Sequence, residues 1–264
     1  MTAWSAWRGV ILMAAMLLGQ PAAAALAPDQ LADVGVRPPP DANLPLDARL
    51  TDLDGRPMTL GDATGGRPAV VVFADYDCPQ LCSPILAMTG GALAKSRLEP
   101  GVDYRLVVIG FNPRATASDG KRMVGGQIGF GTAVGRATTA LRASEPVVAR
   151  LTSAVGYHYA YDIERARYAH PVALLVVTAN GRLSRVLSGL AISGSDVRLA
   201  LIEAGKGAIG ASDQIRLLCY GFGASIGFYT DRIRILLGAA GAATLLVIAA
   251  GLVLLSRTAE RRST

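Results

Sequence analysis

The sequence predicts an α/β domain built around a parallel βαβ unit and followed by a C-terminal transmembrane helix. Three observations carry this. Two short apolar runs rich in β-branched residues, Ala69-Val-Val-Val-Phe73 and Tyr104-Arg-Leu-Val-Val-Ile-Gly110, flank a helical stretch at 84–94, the pattern of central strands covered on both faces and joined by a crossover helix. Residues 235–255 form an uncharged stretch that covers about 31 Å at about 1.5 Å per residue, enough to cross a bilayer core. The 264 residues are 51% hydrophobic and only 17% charged, which excludes disorder and fits a membrane-associated chain. A net charge of +6 is spread without a Lys/Arg run, so nucleic-acid binding is not expected.

Taken in order, the chain opens with Arg8, an uncharged run at 9–19 and a string of alanines. That order reads as a secretory signal over 1–25, the alternative being an uncleaved anchor. Residues 26–47, rich in Pro, Ala and Asp, read as an extended linker, and 48–212 as one ordinary domain. Within it, Asp54-Gly55 between alternating apolar positions predicts a hairpin over 50–60. After the βαβ unit, Val172-Ala-Leu-Leu-Val-Val177, the Ala179-Asn-Gly-Arg182 turn and a run at 183–187 predict a second hairpin. A helix from an N-cap at Ser195 to a C-cap at Gly205 follows. This is thioredoxin-like topology. A juxtamembrane segment (213–234), the span (235–255) and a short tail (256–264) complete the chain. Arg257, Arg261 and Arg262 in that tail fit a cytoplasmic side, but Arg232 and Arg234 on the opposite flank make the charge asymmetry weak; the signal sequence decides the orientation, so the domain is expected to be exported and tethered. Lys95, Lys121 and Lys206 are the only lysines among 26 basic residues, an arginine bias of GC-rich bacterial genomes, which places the domain on the periplasmic face of the inner membrane.

The chemistry concentrates after the first central strand, in Asp75-Tyr-Asp-Cys78-Pro-Gln-Leu-Cys82-Ser-Pro84. A helix running through this segment would put Pro84 in its interior, so Ser83 is expected as N-cap and Pro84 as the first helical residue. Both thiols then lie in the loop entering a helix N-terminus, where the dipole favours thiolate. Such a pair serves soft-metal binding, redox exchange or a structural disulfide. His170, one of two histidines, stands before Pro171 and the next strand; if that strand lies beside the first, His170 reaches both sulfurs. Two thiolates and one imidazole suit a trigonal copper site that holds Cu(I) and tolerates Cu(II).

These residues, with Gly110-Phe-Asn-Pro-Arg114, Gly156-Tyr-His-Tyr-Ala-Tyr-Asp162, Tyr168-Ala-His-Pro171, Asn180-Gly-Arg182 and Leu217-Leu-Cys-Tyr220, resemble the Sco/SenC copper chaperones over roughly 48–255. The resemblance implies Cys78, Cys82 and His170 as copper ligands. It also implies a role in assembling the dinuclear copper centre of cytochrome c oxidase subunit II, by delivering copper or reducing that subunit's cysteines. The sequence departs from the family at Ala169, where many members carry Asp, at Asn112-Pro113 in place of Asp-Pro, and over 136–141, where Trp and Phe are usual. Those positions bear on partner choice and packing more than on the ligands.

The competing function is a thiol-disulfide oxidoreductase in which Cys78 attacks and Cys82 resolves, although the x3 spacing differs from the x2 of most such enzymes. A copper or redox sensor is a third. His158 lies on the strand face opposite Tyr157, Tyr159 and Tyr161 and reads as a surface residue. Cys219 reads as an interfacial thiol before the span, with an intermolecular disulfide or transient metal capture as alternatives. No phosphate loop, Ser/His/Asp set or paired carboxylate is placed.

Overall fold

The computed structural model describes residues 33–78, 82–163, 166–208 and 218–219, with the backbone alone at Cys82, Leu218 and Cys219, and the helical positions Gly241, Thr244 and Ile248. The chain divides into two compact units, Met1–Tyr220 and Gly221–Thr264. Nearly all of the expected signal peptide and membrane span lies outside the described residues, and among those described no helix is long and apolar enough to cross a membrane.

The first unit is built from strands β1 (Gly35–Val36), β2 (Arg49–Asp52), β3 (Pro57–Thr59), β4 (Ala69–Ala74), β5 (Arg105–Gly110), β6 (Thr138–Arg142), β7 (Tyr157–His158), β8 (Ala160–Asp162), β9 (Arg167–Pro171), β10 (Ala173–Val177), β11 (Leu183–Ser188) and β12 (Leu218–Cys219). Its helices are α1 (Leu60–Thr64), α2 (Cys82–Lys95), α3 (Ala117–Gln127), α4 (Ala133–Arg136), α5 (Glu145–Ala154) and α6 (Gly194–Gly205). A seven-stranded sheet runs in the order β11-β10-β4-β5-β6-β2-β3. β4, β5 and β6 are parallel, and β10 joins antiparallel to β4.

All six residues of β4 are buried because both sheet faces are covered. Val70, Val72, Leu106 and Val108 pack with Leu86 and Leu93 of α2, Val124 of α3 and Leu201 of α6. Val71, Phe73, Val107 and Ile109 pack on the other side with Leu60 of α1 and Val148 and Leu151 of α5. Each such side chain contributes about 1.5–3 kcal/mol of burial, so this layer sets the frame on which the site loops sit.

The expected hairpins and the βαβ unit are present, with three corrections. The segment expected as a linker packs into the domain from Val34 onward. Val36 and Leu44 are each 1% exposed, β1 pairs with β7, and the Leu44 amide donates to the Gly181 carbonyl at 2.9 Å. Prolines that disfavour helix still permit an extended chain whose amides bond individual loops. α2 begins at Cys82, one residue before the expected N-cap. Pro84 then falls in the first turn, where its missing N–H has no intrahelical acceptor to lose. α6 is capped by Ser193 rather than Ser195: the Ser193 hydroxyl accepts from the Asp196 amide and the Asp196 carboxylate accepts from Ser193 N–H, the reciprocal capping box.

Candidate metal centre

Cys78 follows β4 on a short anchored loop. Tyr76 is buried, and its hydroxyl lies 2.9 Å from the Val108 carbonyl and 3.0 Å from that of Leu141. The Tyr76 ring lies over Gly110 and Gly120, where an added Cβ would meet its carbons at 2.4 Å and 3.1 Å. Asp75 accepts from the Asn112 side-chain amide at 2.9 Å and from the Asp77 amide at 3.1 Å, and the Cys78 amide donates to the Asp75 carbonyl at 3.0 Å. Burial pushes the Asp75 pKa above the ordinary carboxylate value, with the Asn112 bond opposing. The departure at Asn112 thus supplies a donor to a buried acceptor. Cys78 itself is half-buried and lines an open cavity of about 260 Å3 with Tyr76, Asp77, Ser83, Arg122 and Met123. Cys82 opens α2, four residues along the chain at a helix N-terminus that favours anions.

β9 and β10 bring in the histidine. β10 runs antiparallel to β4, with Leu175 opposite Val71, so the start of β10 lies at the carboxyl end of β4, where the cysteine loop begins. His170 precedes it and is 3% exposed. Its Nδ1 lies 3.1 Å from the Tyr157 hydroxyl and 3.2 Å from the Pro171 carbonyl, and the Tyr157 hydroxyl donates to that carbonyl at 2.9 Å. A proton on Nδ1 satisfies every one of these contacts, since it can donate to the Tyr157 oxygen or the carbonyl while Tyr157 donates to Pro171. That tautomer puts the metal-binding lone pair on Nε2. Tyr157→Phe is expected to weaken copper binding about 10-fold, the lower end for loss of a partner that orients a ligand; equal affinities for the variant and the parent in a chelator competition would show that Tyr157 does not orient the ring.

Burial pushes the His170 pKa below the usual 6.5, against a Cys78 thiolate and the Pro171 carbonyl, which raise it. The imidazole is therefore neutral, the form a metal needs. With the folded pKa depressed, the unfolded chain binds more protons below pH 6.5 than the folded one. Stability is therefore full above 6.5 and declines as pH falls toward the folded value, by up to about 1.4 kcal/mol per pH unit. Urea unfolding of the metal-free protein across pH 5–7 should show this slope, and His170→Gln should flatten it; an unchanged slope would contradict a buried neutral imidazole.

One side of the ring is closed by aromatic residues. Phe111 meets His170 edge-on at 5.1 Å, Tyr168 and Tyr159 each pack on Phe111 at 5.2 Å, and Tyr161 lies 4.8 Å from Tyr168 under the Arg114 guanidinium. These rings exclude water from that flank of the imidazole. Tyr157, Phe111 and Asp75 had no assigned role from sequence; the alternation of Tyr157, Tyr159 and Tyr161 and the position of Phe111 at a strand end were the available signals. His158 is exposed, as expected.

Cys78 and His170 are thus brought together, close enough for the thiolate charge to act on the ring. Among the described residues no three His, Cys, Asp or Glu side chains form a metal-holding group; the Cys82 side chain lies outside that description. The set has the chemistry of a copper site, a soft sulfur beside a neutral imidazole.

No family model matches the chain, and no curated protein does. Solved structures do. A SCO1/SenC family lipoprotein from Bacillus anthracis str. Ames matches with a TM-score of 0.53 and 17% identity, over 64% of this chain and 99% of its own. Yeast Sco1, solved with copper bound, matches with a TM-score of 0.51 and 16% identity, over 65% and 92%. The chain shares the fold of these two proteins. An Aquifex aeolicus VF5 protein assigned to electron transfer shares it, with a TM-score of 0.55 and 19% identity over 63% and 94%.

Proposed function

We propose that this protein is a copper metallochaperone that carries Cu(I) on Cys78, Cys82 and His170 and releases it to an acceptor in cytochrome c oxidase assembly, the dinuclear copper site of subunit II. The observation that carries the reading is the convergence of Cys78 with a buried, neutral, oriented imidazole at the carboxyl end of β4. A soft metal is recognised by thiolate and imidazole together, and a three-ligand site leaves a coordination position for an incoming acceptor group. The half-buried Cys78 beside an open cavity offers the side from which that group arrives. The C-terminal stretch 235–255 would hold the domain on the periplasmic side of the inner membrane, near a membrane-bound acceptor. Cu(I)-loaded protein mixed anaerobically with the metal-free, reduced soluble domain of a subunit II should load that domain with copper, and one-electron oxidation of the product with ferricyanide should then develop the visible absorption of the mixed-valence dinuclear centre; copper that stays on the donor would overturn the delivery role.

A second reading rests on the same open cavity, which would admit a substrate disulfide to Cys78. In that case Cys78 attacks, a mixed disulfide forms, and Cys82 displaces the reduced substrate thiol. Disulfide reductase activity that survives His170→Ala in a protein binding no copper would favour it.

A further inference from the structure

β4 and β5 end side by side, with Ala74 opposite Gly110 in the parallel register. One further backbone bond runs from the Phe111 amide to the Ala74 carbonyl at 3.1 Å. The chains then continue as two loops, one carrying Cys78 and the other carrying Phe111, whose ring meets His170 edge-on. Past the end of the ladder, the Asn112 side chain joins these loops. Its amide donates to an Asp75 carboxylate oxygen at 2.9 Å, and the same oxygen accepts from the amide of Asp77, the neighbour of Cys78, at 3.1 Å. Its carbonyl accepts from the Arg114 amide at 3.0 Å. The nitrogen thus holds the turn that presents the thiol, and the oxygen holds the turn that follows Phe111. Asn112 and Asp75 are 8% and 7% exposed, so water competes little for the bond between them.

We propose that Asn112 is a positioning residue for copper, fixing the gap between the Cys78 thiol and the His170 ring before the metal arrives. The proposal rests on the copper reading above and extends it to a residue that supplies no ligand atom. A braced gap leaves less loop freedom to be lost on binding, so the gain in affinity comes from preorganisation. The coordination position used by an incoming acceptor stays open.

The test uses the full chain in detergent micelles with two variants. Asn112→Ser keeps an oxygen that can accept from the Arg114 amide but is too short to donate to Asp75. The exchange Asp75→Asn with Asn112→Asp keeps one carboxylate and one amide in the pair and reverses the donor. In anaerobic competition with a Cu(I) chelator, Asn112→Ser should keep one copper per chain and bind it about 10-fold more weakly. In the Cu(II)-loaded form its thiolate-to-copper absorption and its electron paramagnetic resonance splitting, which report the arrangement of sulfur and nitrogen about the metal, should shift. The exchange should return affinity and spectra to those of the parent. Parent-like affinity and spectra in Asn112→Ser would overturn the proposal while leaving the copper reading intact. So would weaker binding with parent-like spectra, which would mark a loss of stability alone, or a folded exchange variant that keeps the Asn112→Ser spectra. A parent that binds no copper would overturn both.

Discussion

Cys78→Ser should lower Cu(I) affinity by at least about 1,000-fold, a loss of about 4 kcal/mol. The reason is softness: a serine hydroxyl has nearly the shape of the thiol but neither its polarisability nor an accessible anion near neutral pH. His170 would then be left as a borderline ligand in an apolar pocket lined by Phe111. The fold should be little affected, because Cys78 packs against the core only in part and the loop is held by Tyr76 and Asp75. Competition with a Cu(I) chelator, alongside urea unfolding of the metal-free variant, separates the two effects. Copper affinity within about 10-fold of the parent would mean that Cys78 is not a ligand.

Gly110→Ala should destabilise the domain strongly. A Cβ at that point would lie 2.4 Å and 2.6 Å from two ring carbons of Tyr76. The ring cannot swing clear without releasing the hydroxyl from the Val108 and Leu141 carbonyls. Overpacking of this kind costs about 3 kcal/mol, which in a unit of this size lowers Tm by about 10 °C. Tyr76 stands two residues before Cys78, so copper affinity should fall with stability. Gly126, exposed on α3 with nothing within 4 Å of an added Cβ, is the control: Gly126→Ala should be neutral or stabilising by about 0.5–1 kcal/mol. If Gly110→Ala melted with the parent, the anchoring of the Cys78 loop by Tyr76 would be wrong.

The central strands were legible because burial on both faces demands uninterrupted apolar residues, as in β4 and β5. β6 was not, since Thr138, Thr139 and Arg142 are only half-buried and their run has no apolar signature. α3 was hidden by Gly120, Gly125 and Gly126, although the Thr116 and Asp119 capping box that starts it is readable from sequence. The packed segment from Val34 to Leu44 was obscured by its prolines, which hide contacts made to distant loops such as Gly181. At the site, the Cys82 side chain lies outside the described residues; Cys78 and His170, which the structure brings together, could be named from residue type and spacing. Their surroundings could not: Tyr157, Phe111 and Asp75 act through contacts across the sheet, and the pairing of Cys219 with His170 spans a sequence separation that no local pattern encodes.

The most direct test of the copper centre is an anaerobic Cu(I) titration against a competing chelator, comparing the parent with His170→Ala. One copper bound tightly by the parent, with affinity at least about 10-fold weaker in the variant, is the expected result. Binding that ignores the histidine, or no binding at all, would contradict a thiolate and imidazole site and leave a dithiol.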